Sequence, residues 1–194
     1  LISFKIIISF ALVLCFISFF YGEEIIQFRY GLGRFDNVDV YLNKSFKIFP
    51  ILMLCFLFIS CTYVFGTLLT ANGNLYLLNK IAFVGMIINI ILNYILINSH
   101  GAYGASISSF LTQFLTALIQ VYFCVRIFKL SNLKLVLEPL FFFIIGLIII
   151  SYLLINFSQK WYINICLFGL LSIIWSFFTG MIRFNYLRNV FYNK

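Results

Sequence analysis

Five polar side chains recur at intervals of three and four along one apolar stretch of this sequence: Ser106, Ser109, Gln113, Thr116 and Gln120. In a helix that spacing puts them on one face, as a continuous seam of hydroxyls and carboxamides. Their chemistry is neutral hydrogen bonding. Such a seam either joins helices, since small and polar residues allow close approach and cross-helix bonds, or lines a path for something polar. A second set, Asn89 and Asn93, stands four apart with Gly85 four residues before them. An amide surrounded by hydrocarbon is costly unless it finds a partner or water. The same two readings apply to it.

Other chemistries find little support. No pair of carboxylates falls inside an apolar run, no serine, histidine and aspartate grouping has supporting context, and no glycine-rich phosphate loop is present. There are five acidic residues, four of them between 22 and 47, and one histidine, His100, in a turn between apolar runs. The chain is therefore not expected to be an enzyme. Cys15, Cys55, Cys61, Cys124 and Cys166 all lie within apolar runs and form no CxxC pattern. They read as small hydrophobic residues rather than disulfide partners or metal ligands.

The elements that must position these side chains follow from composition. Of 194 residues, 64% are hydrophobic and only 9% charged, against about 25% charged in an ordinary soluble domain. Lipid must be the main solvent. Six runs are long and apolar enough to cross a bilayer as helices: 6–21, 48–71, 81–97, 101–125, 139–157 and 161–182. None contains Asp, Glu, Lys or Arg, and none alternates as a barrel strand would. The expected fold is an all-α integral membrane protein. Pro50 and Pro139 stand at run entrances, where a missing N–H costs least.

An even number of spans places both ends on one side. That side collects Lys5, Lys80, Arg126, Lys129, Lys134, Arg183, Arg188 and Lys194 of the 13 basic residues. The excess of positive charge marks it as cytoplasmic. The net charge of +8 is thereby explained by membrane topology, without nucleic acid as a partner. Segment 22–47 reads as an external loop lying on the membrane, with Phe28, Tyr30, Phe35 and Tyr41 in the interface. The chain opens on Leu1 inside an apolar run, so it reads as a fragment of a longer protein.

Residues 66–114, GTLLTANGNLYLLNKIAFVGMIINIILNYILINSHGAYGASISSFLTQF, carry a resemblance. A span ends in the polar link Thr70-Ala71-Asn72-Gly73-Asn74, with Lys80 after it. A span with Asn89 and Asn93 follows, then a short turn and the helix start Gly101-Ala102-Tyr103-Gly104-Ala105. This order resembles the C-terminal half of Wzx-type polysaccharide (O-antigen) flippases, of the superfamily that includes the MATE antiporters. The match is strongest over about fifty residues. The turn Asn98-Ser99-His100 departs from the Pro and Lys often found there in the family, and segment 22–47 is longer than usual.

The resemblance implies six transmembrane helices forming one lobe, residues 1–194, of a two-lobed transporter of about twelve helices, the N-terminal lobe lying upstream. It implies passage of an undecaprenyl-pyrophosphate-linked oligosaccharide across the bacterial cytoplasmic membrane, for O-antigen, lipopolysaccharide or capsule biosynthesis. Asn89, Asn93, Ser106, Ser109, Gln113, Thr116 and Gln120 are the expected path residues. Lys5 is the candidate cation for the pyrophosphate, with snorkelling to the interface as its competing reading. Expected partners are membrane lipid, the lipid-linked oligosaccharide, the other lobe and other polysaccharide-assembly proteins. No cofactor is expected; proton and sodium gradients are the candidate driving forces. A drug/cation antiporter, a membrane polysaccharide polymerase and a non-transporting scaffold are the alternatives, in that order.

Overall fold

The computed structural model describes residues 2–30, 38–129, 134–155, 157 and 160–182. These form six α-helices: α1 (Ile2–Tyr30), α2 (Val38–Ala71), α3 (Leu75–His100), α4 (Ala102–Ile127), α5 (Lys134–Ile155) and α6 (Trp161–Phe178). All six are long and apolar enough to cross a membrane, the architecture of a multi-pass membrane protein. Large apolar side chains such as Phe10, Tyr94, Tyr152 and Phe178 point outward. That is unfavourable in water and favourable against lipid tails.

The helices run past the apolar stretches that mark them in the sequence. Backbone hydrogen bonding sets a helix end, whereas hydropathy marks only the hydrocarbon slab. Thus α2 starts at Val38, and α1 breaks its helical geometry at Tyr21 (φ −127°, ψ 16°), where the first apolar run ends, before a second helical stretch reaches Tyr30; much of 22–47 is therefore helical rather than the expected loop. Within that segment Phe28 and Tyr30 are exposed; Phe35 lies outside the described residues. For the same reason Pro50 and Pro139 stand inside α2 and α5, not in their first turns. At the C-terminal side α5 and α6 stop before their runs do, at Ile155 rather than 157 and at Phe178 rather than 182. Gly180 takes a left-handed φ of +72° and the Ile182 N–H turns back to Ser176 O at 3.2 Å.

The link Thr70–Asn74 is a helix terminator. Gly73 adopts φ +77°, Asn74 N–H donates to Leu69 O (2.9 Å) and Gly73 N–H to Thr70 O (3.0 Å). These paired bonds satisfy the last carbonyls of α2 as a Schellman motif does.

The chain divides into two compact units, Leu1–Tyr21 with Asn132–Lys194, and Gly22–Ser131. In the first, α5 packs on α6. Gly146 makes room there for the Trp175 indole, whose Nε1 donates to Phe142 O at 3.2 Å. In the second, α4 packs on both α2 and α3. The α2 side is an aromatic cluster: Phe58 lies edge-on to Phe110 (5.7 Å) and Phe114 (5.0 Å). The α3 side is polar.

Gly101 is the entire connection between α3 and α4. It has φ +58°, its N–H donates to Ile97 O (2.8 Å), and its carbonyl accepts Ala105 N–H (3.1 Å). Gly104, one turn into α4, lies against the α3 backbone: a Cβ there would overlap the Leu96 carbonyl and stand 3.2 Å from Ile97 N. Small residues start this helix for two separate reasons, a left-handed turn and a backbone contact. At the far end of the hairpin, Lys80 Nζ lies 4.5 Å over the Tyr76 ring and the Arg126 guanidinium 5.3 Å over Tyr122. Such aromatic and basic pairs suit a membrane–water boundary.

Candidate functional site: a polar recess between α3 and α4

The tight turn at Gly101 holds α3 and α4 antiparallel, and small residues keep them close along their length. Where the helices offer glycine and short polar side chains, a recess of about 460 Å³ opens. Ala82, Gly85, Met86 and Asn89 of α3 line it, with Ser109, Thr112, Gln113 and Thr116 of α4. Gly85 shapes its floor, since a Cβ there would sit 3.0 Å from Thr116 Oγ1.

Hydrogen bonds hold one wall in place. Asn89 Nδ2 donates to Thr112 Oγ1 (3.2 Å), and Asn93 Nδ2 donates to Asn89 Oδ1 (2.8 Å). Ser108 Oγ donates to the Asn89 carbonyl at 3.3 Å. Thr112 and Thr116 return their hydroxyl protons to Ser108 O (2.8 Å) and Thr112 O (2.7 Å). These bonds fix the Asn89 carboxamide between two helices, as buried amides in lipid require. Asn93 Oδ1 is buried with no partner among the described residues.

Two other α4 residues differ. Most span hydroxyls are tied to a carbonyl three or four residues back, as Ser60, Thr70, Ser106 and Ser151 are. Among the described residues, neither the Ser109 hydroxyl nor the Gln113 amide makes a hydrogen bond. Both line the recess. They supply a hydroxyl and a full carboxamide, able to donate and accept at once, in a site with no charged side chain among its lining residues.

The seam read from sequence does not stay together. Ser109, Gln113 and Thr116 meet Asn89 in the recess. Ser106 and Gln120 are instead packed away, at 3% and 5% exposure. The Ser106 carbonyl receives Cys55 Sγ of α2 at 4.0 Å, and Gln120 Oε1 lies 3.6 Å from the Cβ position of Gly66, also on α2. Gln120 Oε1 has no partner among the described residues. The division arises because α4 sits between two neighbours, and a straight helix drifts across a strict seven-residue repeat.

Thr112 and Ser108 were not singled out by the seam. Their signal was present: Ser108, Thr112 and Thr116 repeat every four residues, as Gly85, Asn89 and Asn93 do, and the two rows face each other. Lys5 is half-buried near the start of α1, in the other unit, and is not among the recess residues. His100 is exposed at the turn, its Nδ1 2.7 Å from Ser99 Oγ. Cys55 and Cys124 are buried, with Cys124 Sγ on Phe65 O of α2 at 3.4 Å. Comparison of the chain with protein-family models, characterised proteins and solved structures returned no match.

Proposed function

We propose that this chain is the C-terminal, six-helix lobe of a membrane transporter in the bacterial cytoplasmic membrane, with both of its ends cytoplasmic. In this reading it moves an undecaprenyl-pyrophosphate-linked oligosaccharide from the inner to the outer leaflet. The barrier is a hydrocarbon layer of about 30 Å, across which a glycan must be kept hydrogen-bonded. A polar cavity opening alternately to each face meets that need.

The observation that carries the proposal is the unengaged pair Ser109 and Gln113, facing Asn89 across a recess between two membrane-length helices. Neutral hydroxyls and amides match a sugar's hydroxyls, which donate and accept in turn. Ser106 and Gln120, turned toward α2, serve packing. Charge for the pyrophosphate comes from residues outside this recess, with Lys5 the candidate on this chain and further contacts from the other lobe. The resemblance over residues 66–114 supplies the cargo class.

The test replaces Ser109 with Ala and Gln113 with Leu in the full-length protein, then measures surface polysaccharide, lipid-linked repeat units left inside, and membrane abundance. Lower export at unchanged abundance, with repeat units accumulating, is the expected result. Normal export would refute the cavity role. Loss of abundance would assign both residues to helix packing. New drug sensitivity with normal glycan would point to an antiporter.

A further inference from the structure

The recess between α3 and α4 is lopsided in its hydrogen bonding. Thr112 Oγ1 spends its proton on Ser108 O (2.8 Å), and Thr116 Oγ1 spends its own on Thr112 O (2.7 Å). Both hydroxyls therefore offer the recess lone pairs only. Because Thr112 Oγ1 has no proton left to give, Asn89 must turn its Nδ2 toward it, at 3.2 Å. That leaves Asn89 Oδ1 to accept from Asn93 Nδ2, at 2.8 Å. The relay is thereby oriented: its protons run from Asn93 through Asn89 and Thr112 to a backbone carbonyl of α4. At its starting end Asn93 Oδ1 is one more buried acceptor, with no donor among the described residues.

Gly85 adds to the imbalance. A glycine inside a helix costs about 1 kcal/mol against alanine, yet here it stands where a Cβ would lie 3.0 Å from Thr116 Oγ1. With no side chain at that place, the threonine lone pairs stay uncovered. Fewer groups offer protons: the Ser109 hydroxyl, the Gln113 amide and the second Nδ2 hydrogen of Asn89. No charged side chain lines the recess.

Resting on the reading of this recess as a sugar path, we propose that it selects a neutral sugar through the sugar's own protons. Thr112 and Thr116 accept from its hydroxyls, and an acidic sugar is turned away. A carboxylate or phosphate can only accept. Set in the recess, it would face the lone pairs of both threonines with no cation to offset its charge, and a buried charge without a partner is costly. A neutral sugar fits both sets of groups. Its hydroxyls donate to the threonines and accept from Gln113 and Ser109, while Ala82 and Met86 present carbon to the C–H groups of its ring.

The test is ligand-observed saturation-transfer NMR on the full-length protein, purified in a detergent without a sugar headgroup. The probes are methyl glucoside, its monodeoxyfluoro analogues and methyl glucuronide. Fluorine holds the place of a hydroxyl but carries no proton, and the glucuronide puts a carboxylate on the same ring. Methyl glucoside should bind. At least one fluorinated analogue and the glucuronide should bind about ten-fold more weakly, since each leaves acceptors in the recess unpaired. Thr116→Val keeps the side-chain shape without the acceptor. It should weaken methyl glucoside about five-fold and leave the glucuronide unchanged. Gln113→Lys supplies a cation and should admit the glucuronide. If the glucuronide and every fluorinated analogue bind as well as methyl glucoside, the selection is overturned while the sugar path stands. Binding that neither Thr116→Val nor Gln113→Lys alters would place the sugar outside the recess and overturn it as well. No binding by any probe would overturn both the selection and the sugar reading of the recess.

Discussion

Gly104→Ala adds one methyl group at the tightest point of the α3–α4 hairpin. The added carbon would overlap the Leu96 carbonyl, and Ile97 N is also close, at 3.2 Å. These are main-chain atoms inside a helix, so no rotamer change relieves the contact; α3 and α4 must separate. Separation also strains the bonds from Ser108 to Asn89 O and from Asn89 to Thr112, at 3.3 and 3.2 Å. Overpacking costs typically about 1–3 kcal/mol, and an unyielding backbone partner places this case near the upper end. At about 2–4 °C per kcal/mol for a chain of this size, the melting temperature should fall by roughly 6–12 °C. The assay is thermal unfolding of the detergent-purified chain, followed by tryptophan fluorescence. Gly169→Ala is the control: its Cβ meets no atom within 4 Å, and alanine is the better helix former by about 1 kcal/mol. Its melting point should hold or rise. A Gly104→Ala protein melting within about 2 °C of the parent, less than 1 kcal/mol at this size, would refute the backbone contact.

Three further perturbations test other parts of the structure. Gly146→Ala would collide with the Trp175 indole, a side chain that can rotate away, so about 1–2 kcal/mol is expected; the Trp175 emission should shift, and Trp175→Phe should restore stability. Gln120→Leu removes a buried amide oxygen that lacks a partner among the described residues and should stabilise the purified protein by about 1 kcal/mol; lower stability would mean the amide is bonded. Asn89→Leu breaks its bonds to Thr112 and Asn93 and should destabilise by about 1–2 kcal/mol, each membrane bond contributing roughly 0.6 kcal/mol; unchanged melting would show that the network carries no stability.

Sequence alone determined the class of the protein and the number of its membrane-length helices, because lipid leaves a chain little choice: apolar runs must satisfy their backbone internally, as helices. It also marked Gly101 and Gly104 as the start of a new helix, and Asn89 and Gln113 as polar groups in a costly place. It could not set the helix ends. Hydropathy ended the first run at the Tyr21 kink, but it has no signal for the polar turns that resume as helix up to Tyr30 or open α2 at Val38. Nor could it divide the seam. Ser106, Ser109, Gln113, Thr116 and Gln120 look equivalent on one helix, and only the placement of α2 and α3 beside α4 sends Gln120 into packing and Gln113 into an open recess. A face is a property of one helix, whereas a site needs two. Facing rows such as Ser108-Thr112-Thr116 and Gly85-Asn89-Asn93 gain meaning when tertiary structure sets them in register.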